Sequence, residues 1–257
     1  YDPLQYAITL ARQRGMELHA WFNFAIAWKN TVAPISQDLT RPHVGESHPE
    51  WTKTYGGDLW LDPGIPDVRA YLRDVALDLV RNYDFDGIHF DYIRVANTNF
   101  PDDDTFANLA YTNDSSAAGK PAWRRENMNL FMREFYDSVA AIKPWVKVGS
   151  APLGVHHPIT GAPSTFYGMA VGQDARRWLL EGKHDYVMPQ IYWSFGLQTN
   201  DWDFQALLQD WETNRFGKHV YPGLGAYRMS ANDGGYPSTE IVRMVDSTRA
   251  VASRLGG

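Results

Sequence analysis

Strict alternation of helix and strand constrains this chain more than any other feature. Helical periodicity marks 3–14, 66–82, 124–142, 173–181, 203–215 and 238–255, and strand-like apolar runs mark 16–24, 86–92, 146–151, 185–192 and 219–226. Local signals agree with the periodicity. The first helix stops at Gly15, and the second opens on Pro66 and Asp67, which suit a first turn through fixed φ and dipole compensation. A helix separates every pair of strands, so the strands run parallel.

The connections are lopsided. Each helix returns to the next strand within about four residues, whereas the strand-to-helix segments take roughly 40, 30, 20, 10 and 10 residues in order. Long segments gathered at the carboxyl ends of parallel strands are the mark of a (β/α) barrel with a site on that face. A doubly wound open sheet alternates too, but the first strand-to-helix junction has no glycine-rich phosphate loop. The expectation is α/β: a (β/α)8 TIM barrel in one domain over 1–257, incomplete at both ends. Five strands are visible, and the others are expected beyond the two terminal helices.

Composition narrows the function. The net charge is −6 with no basic run or stripe, so nothing offers nucleic acid a footprint, and no apolar run approaches a membrane span. Cysteine is absent, which removes thiol chemistry. The ten Trp and fourteen Tyr fall largely in segments outside the periodic elements, among them Trp28, Trp51, Tyr55, Trp60, Tyr111, Trp123, Trp193 and Trp202. Such rings either cover the ends of a large core or serve as platforms for sugar rings.

The stretch DGIHFDYIR (86–94) carries an acid at each end of an apolar run. Side chains alternate along a strand, and the apolar pair Ile88 and Phe90 should meet the helices. His89 and Asp91 then face the barrel interior, with Asp91 at the loop-rich end and Asp86 at the opposite end. The same reasoning on ELHAWFNF (17–24) turns Leu18, Ala20, Phe22 and Phe24 outward and His19, Trp21 and Asn23 inward. Ser150, Gln190, Tyr192 and Tyr227 are read as inward polar groups at similar height. Arg124 and Arg125 open a helix where positive charge opposes the dipole. They either pair with Glu126 and solvent or, as taken for Arg125, reach a substrate from the loop face.

Other chemistries lack their residues. There is no HxH or HExxH spacing, His43, His48, His156 and His157 lack ligand spacing, and no GxSxG elbow occurs. Flavin, nicotinamide and pyridoxal sites have no support, and neither a cofactor nor a metal is expected. Carboxylate chemistry in an aromatic-rich barrel remains. Glycoside hydrolysis needs such a setting, and its substrate would be a polysaccharide or oligosaccharide.

Five stretches resemble the glycosyl-hydrolase-like 10 family of bacterial envelope proteins: 2–23, 61–72 (LDPGIPDVRAYL), 83–94 (YDFDGIHFDYIR), 123–154 and 185–193 (DYVMPQIYW). That family includes a denuded-peptidoglycan glycan hydrolase. The resemblance implies a (β/α)8 fold, export to the cell envelope, and Asp91 at the family's acidic position. Many members carry a second Asp after it, where this chain has Tyr92, in a Tyr-Ile-Arg subtype. The resulting reading is hydrolysis of a cell-envelope glycan, peptidoglycan being favoured, with Asp91 as general acid and His89 beneath it holding its geometry. Trp21, Asn23, Tyr92, Arg94, Arg125, Gln190, Tyr192, Trp193 and Tyr227 would contact the sugar. The second catalytic group stays open among Asp62, Asp102, Asp201, an acid on a strand beyond the chain ends, and the substrate's acetamido group. The competing reading is a carbohydrate-binding barrel without catalysis. A more distant rival, a deacetylase, would need a metal.

Overall fold

The structure, a computed structural model, describes residues 1–29, 40–109, 119–159, 166–196 and 202–254. In chain order, helix α1 (Pro3–Gln13) precedes strands β1 (His19–Asn23) and β2 (Ile26–Trp28), a short helix α2 (Val44–Ser47), and strands β3 (Thr52–Tyr55) and β4 (Asp58–Leu61). Then follow α3 (Pro66–Asn82), β5 (Gly87–Asp91), α4 (Asp103–Leu109), α5 (Gly119–Ile142), β6 (Lys147–Ser150) and α6 (Ala175–Leu180). The last elements are β7 (Tyr186–Val187), β8 (Gln190–Ile191), α7 (Phe204–Thr213), β9 (His219–Val220), β10 (Gly223–Leu224) and α8 (Ser238–Arg254).

The main sheet has the order β1-β5-β6-β7-β9, every pair parallel. Spatial order therefore equals chain order, with a helix crossing between neighbours. That is the single winding of a (β/α) barrel; a doubly wound sheet would reverse direction partway. Among the described residues the strands form a five-stranded arc, not a closed barrel. The last two runs are each split, β7 from β8 at Pro189 and β9 from β10 at Pro222, because proline supplies no N–H to the ladder. β8 and β10 resume the same parallel pairing, Gly223 opposite Gln190.

Alternation sorts the faces. Ile88, Phe90, Val148 and Val187 are fully buried under the helices. Phe90 sits among Phe22, Phe24, Phe131 and Phe135 at centroid distances of 4.9–6.4 Å. α3 meets this layer through Val68, Leu72, Ala76, Leu77 and Val80, a stripe at helical spacing. On the concave face Trp21, His89 and Gly149 lie side by side across three strands. Gly149 is required there: a Cβ would lie 2.3 Å from the Tyr186 ring.

Ser150 departs from the inward placement read from sequence. It pairs with Phe90 and shares that residue's outward face, fully buried. His184 Nδ1 lies 2.7 Å from the Lys183 carbonyl, which only accepts, so Nδ1 carries the proton and Nε2 accepts from the Ser150 hydroxyl at 2.8 Å. Burial pushes His184 down to about 3. Its folded pKa lies below the unfolded value of about 6.5, so the unfolded state binds the extra proton between those limits. Stability supplied by neutral His184 is thus present above about pH 6.5 and is lost as pH falls towards 3. His184→Gln keeps a donor and an acceptor but cannot titrate. Its melting temperature should lie below wild type at pH 7, and the gap should narrow steadily as pH falls from 6.5 to 4; a pH-independent gap would show that His184 does not titrate in this way.

The segment between β1 and α3, read from sequence as loop, contains an antiparallel sheet of order β2-β4-β3. Its hairpin turns on Gly56 and Gly57, at φ 60° and 84°, left-handed conformations that a two-residue turn of this kind demands. Residues 99 and 100 of the segment after β5 pack against it: Tyr55 donates to Asn99 at 2.6 Å and the Trp60 ring meets Phe100 at 6.4 Å. Both therefore meet beside Tyr92, at the carboxyl end of β5.

Candidate active site

Asp91 ends β5 on the concave face, opposite Asn23 in register. Its Oδ1 accepts from the Tyr92 amide at 2.8 Å and from Gln190 Nε2 at 3.0 Å, reaching across to β8. Gln190 also donates to the Ala151 carbonyl at 3.1 Å, so three strand ends share one amide. Burial is the main influence on Asp91 and raises its pKa. The Tyr92 amide, Arg94, Gln190 and the Trp21 side chain oppose the rise without cancelling it. A carboxyl so placed keeps its proton to a higher pH than an exposed one, which a general acid needs.

Tyr92 adopts φ 53°, a left-handed conformation uncommon for a side chain of its size. The turn lets its amide reach back to the Asp91 carboxyl. Its ring is held by Trp60 at 6.1 Å and by the Arg94 guanidinium at 5.2 Å, and Arg94 itself lies 5.3 Å from Phe166. Arg94 is fixed further by the Val95 and Ala96 carbonyls, at 3.2 and 3.1 Å. Tyr92→Gly loses ring contacts but relieves the backbone, whereas Tyr92→Ile loses the contacts and keeps a β-branched residue at positive φ. Melting should therefore separate the two, Ile being the less stable by about 1–3 kcal/mol; equal stability would remove backbone strain from the account.

His89 lies two residues below Asp91 and is bonded to Tyr186, not to the acid. Tyr186 Oη is 3.2 Å from His89 Nδ1 and 2.7 Å from His19 Nδ1, and His19 Nε2 reaches Glu17 at 3.2 Å. Because the Glu17 carboxylate only accepts, neutral His19 is protonated at Nε2. Tyr186 then donates to His19 and accepts from His89. Burial depresses His89 to about 4, so it is neutral at pH 7. The role of holding Asp91, read from sequence for His89, falls to the Tyr92 amide and Gln190. Trp21, His89, Tyr186 and Met188 line a cavity of about 790 Å³ that opens beneath Asp91 on the concave face. Tyr186 was missed in sequence, although it shares strand parity with Gln190.

The remaining predicted residues divide. Tyr192, its pKa raised by burial first and by the Asp91 charge second, stands near the acid, and its ring meets half-exposed Tyr227 edge-on at 5.8 Å. Trp193 packs over Gly154 and stacks on Trp202 at 5.7 Å, forming a second aromatic surface. Arg125 sits on α5 and donates to the Met169 carbonyl at 3.3 Å; among the described residues no hydrogen bond or ion pair joins it to Asp91, Tyr92 or Gln190. Arg124 is buried and grips Asp102 through two bonds of 2.5 and 2.8 Å, pinning the 98–102 segment to α5.

Two carboxylates considered as a partner for Asp91 are committed elsewhere. Asp62 is fully buried, accepting from Thr105 at 2.5 Å and from the Gly64 amide at 2.9 Å. Asp102 is held by Arg124 and Lys120. Asp201 and Tyr111 lie outside the described residues. Asp86, at the foot of β5, accepts from the Leu18 amide at 2.8 Å and ties β1 to β5. Among the described residues, no His, Asp and Glu side chains gather in a set that could hold a metal, and no helix is long and apolar enough to cross a membrane.

Residues 1–236 match the family model described as Glycosyl hydrolase-like 10. The chain belongs to that family. It is 33% identical over 251 residues to glycosyl hydrolase YngK of Bacillus subtilis, covering 90% of this chain and 47% of that protein. It is 30% identical over 278 residues to glycosyl hydrolase DigH of Escherichia coli K12, covering 98% of this chain and 61% of the relative. The chain thus spans about half to three-fifths of these curated relatives. Among solved structures, the PgaB (BpsB) glycoside hydrolase domain from Bordetella bronchiseptica superposes with a TM-score of 0.62 at 15% identity, over 99% of this chain and 72% of that one. The likeness places the five-stranded arc in the TIM-barrel fold of glycoside hydrolases.

Proposed function

We propose that this chain carries the catalytic face of a glycoside hydrolase that cleaves a bacterial cell-envelope polysaccharide, an amino-sugar glycan of the peptidoglycan kind. Asp91 is the general acid. The observation that carries the reading is its placement: a carboxyl raised by burial, at the carboxyl end of a barrel strand, held by Tyr92 and Gln190 and flanked by Trp21 and Tyr192. Aromatic faces receive the apolar faces of sugar rings, while Asn23 offers its amide, and Gln190 its carbonyl oxygen, to hydroxyl or acetamido groups. Asp91 protonates the glycosidic oxygen as the bond to the anomeric carbon breaks. With Asp62 and Asp102 bound to structural partners, Asp201, an acid on a strand beyond the chain ends and the acetamido oxygen of the substrate are the groups to test for the second role. A substrate of this kind places the protein outside the cytoplasm.

The test is turnover of defined glycans by the intact protein: denuded peptidoglycan strands, a poly-N-acetylhexosamine and a neutral glucan. Cleavage of an amino-sugar glycan with no cleavage of the glucan supports the reading. Saturable binding of glycans without cleavage of any would replace it with the carbohydrate-binding barrel.

A further inference from the structure

A second cavity, of about 550 Å³, lies between the N-terminal halves of α3 and α5 and shares no lining residue with the surroundings of Asp91. Arg69, Trp123, Arg125, Glu126, Asn127 and Arg177 are among its walls. Among the described residues the charges are unevenly paired: Asp62 and Glu134 act on Arg69, and Asp174 acts on Arg125, only from beyond ion-pair distance. Glu126 is taken by Arg133 at 2.7 Å and Arg177 at 3.2 Å, and Arg177 also pairs with Glu181 at 2.8 Å. Arg69 and Arg125 have no carboxylate within ion-pair distance among the described residues. Arg69 spends Nη1 on the Pro63 and Gly64 carbonyls at 2.7 and 3.1 Å, and Arg125 spends Nη1 on Met169.

Asn127 supplies the independent observation. It is only 7% exposed, and its Nδ2 is buried with no hydrogen-bond partner. A buried amide donor left unpaired costs about 1–3 kcal/mol, and such groups are rare in folded proteins. Beside it stands the Trp123 indole, whose ring tip fills the space over Gly64. Among the described residues the cavity thus has three guanidiniums to one carboxylate in its walls, with one unpaired amide donor and an aromatic wall. It is built of donors, so its ligand must be rich in acceptors and negatively charged.

We propose that this cavity binds a carboxylate-bearing sugar, with the carboxylate between Arg69 and Arg125, an acceptor oxygen on Asn127 Nδ2 and a ring face against Trp123. Guanidinium groups recognise carboxylates through paired N–H donors, and an indole receives the C–H face of a pyranose. The volume suits one or two hexose units, within the range of about 300–1,000 Å³ typical of small-ligand sites. The inference does not depend on Asp91 chemistry, and its test reads binding rather than turnover.

Calorimetric titration of the intact protein with glucuronate, glucose and acetate provides that test, in wild type, Arg125→Gln and Asn127→Leu. Glucuronate should bind saturably and at least tenfold more tightly than either glucose or acetate, and each variant should lose at least tenfold while melting as wild type does. Arg125 is partly exposed on the first turns of α5, where its charge opposes the helix dipole, so Arg125→Gln carries the test even if Asn127→Leu fails to fold. Absence of glucuronate binding, equal binding of glucose or acetate, or unchanged affinity in Arg125→Gln would each overturn the proposal.

Discussion

Replacing Asp91 with Asn should lower glycan turnover by about 10²–10⁴-fold, the usual contribution of a positioned acid, while glycan affinity and melting temperature stay near wild type. The asparagine oxygen can accept the bonds that Oδ1 now accepts from the Tyr92 amide and Gln190 Nε2, so the three strand ends remain tied. Burial disfavours the charged form of Asp91, so removing the charge does not weaken the fold. What is lost is the transferable proton. The checks are turnover, affinity and melting on the same preparation. Equal turnover in the variant and wild type would remove Asp91 from the mechanism and favour a binding role.

Phe90→Ala should give the opposite pattern, although Phe90 is the adjacent residue. Its side chain is fully buried among four other phenylalanines on the helical side of β5. Truncation leaves a cavity that rigid ring neighbours fill poorly, at a cost of about 3–5 kcal/mol. For a chain of this size that corresponds to a fall of about 10 °C in melting temperature. Turnover per folded molecule should change far less than in Asp91→Asn. If Phe90→Ala melts within about 1 °C of wild type, the assignment of faces along β5 is wrong.

Much of the scaffold was legible because its signals are local. Helix 66–82 was placed to the residue by Pro66, Asp67 and the apolar spacing that follows. Parity and the end of the strand each occupies separate the two acids of DGIHFDYIR: Asp86 ties β1 at the foot of the sheet, and Asp91 stands at its mouth. Ser150 shares its face with Val148, which should have turned it outward, and the same count would have brought Tyr186 inward with Gln190. The hairpin at Gly56 and Gly57 carried a readable glycine signal, but its strands are short and the whole segment was read as loop.

The sequence by itself determined the parallel α/β scaffold, the (β/α) winding and the side of the sheet on which Asp91 stands. Each follows from periodicity, connection length and strand parity, which are properties of neighbouring residues. Tertiary structure decided which groups act on Asp91. Gln190 reaches it from 99 positions away, and Tyr186 takes the partner that sequence had assigned to the acid by bonding His89 from 97 positions away. It also decided that Asp62 and Asp102 are spent on Thr105, Gly64, Arg124 and Lys120. Hydrogen-bond pairing and desolvation depend on which distant elements the fold brings within about 3 Å, and no one-dimensional pattern encodes that distance.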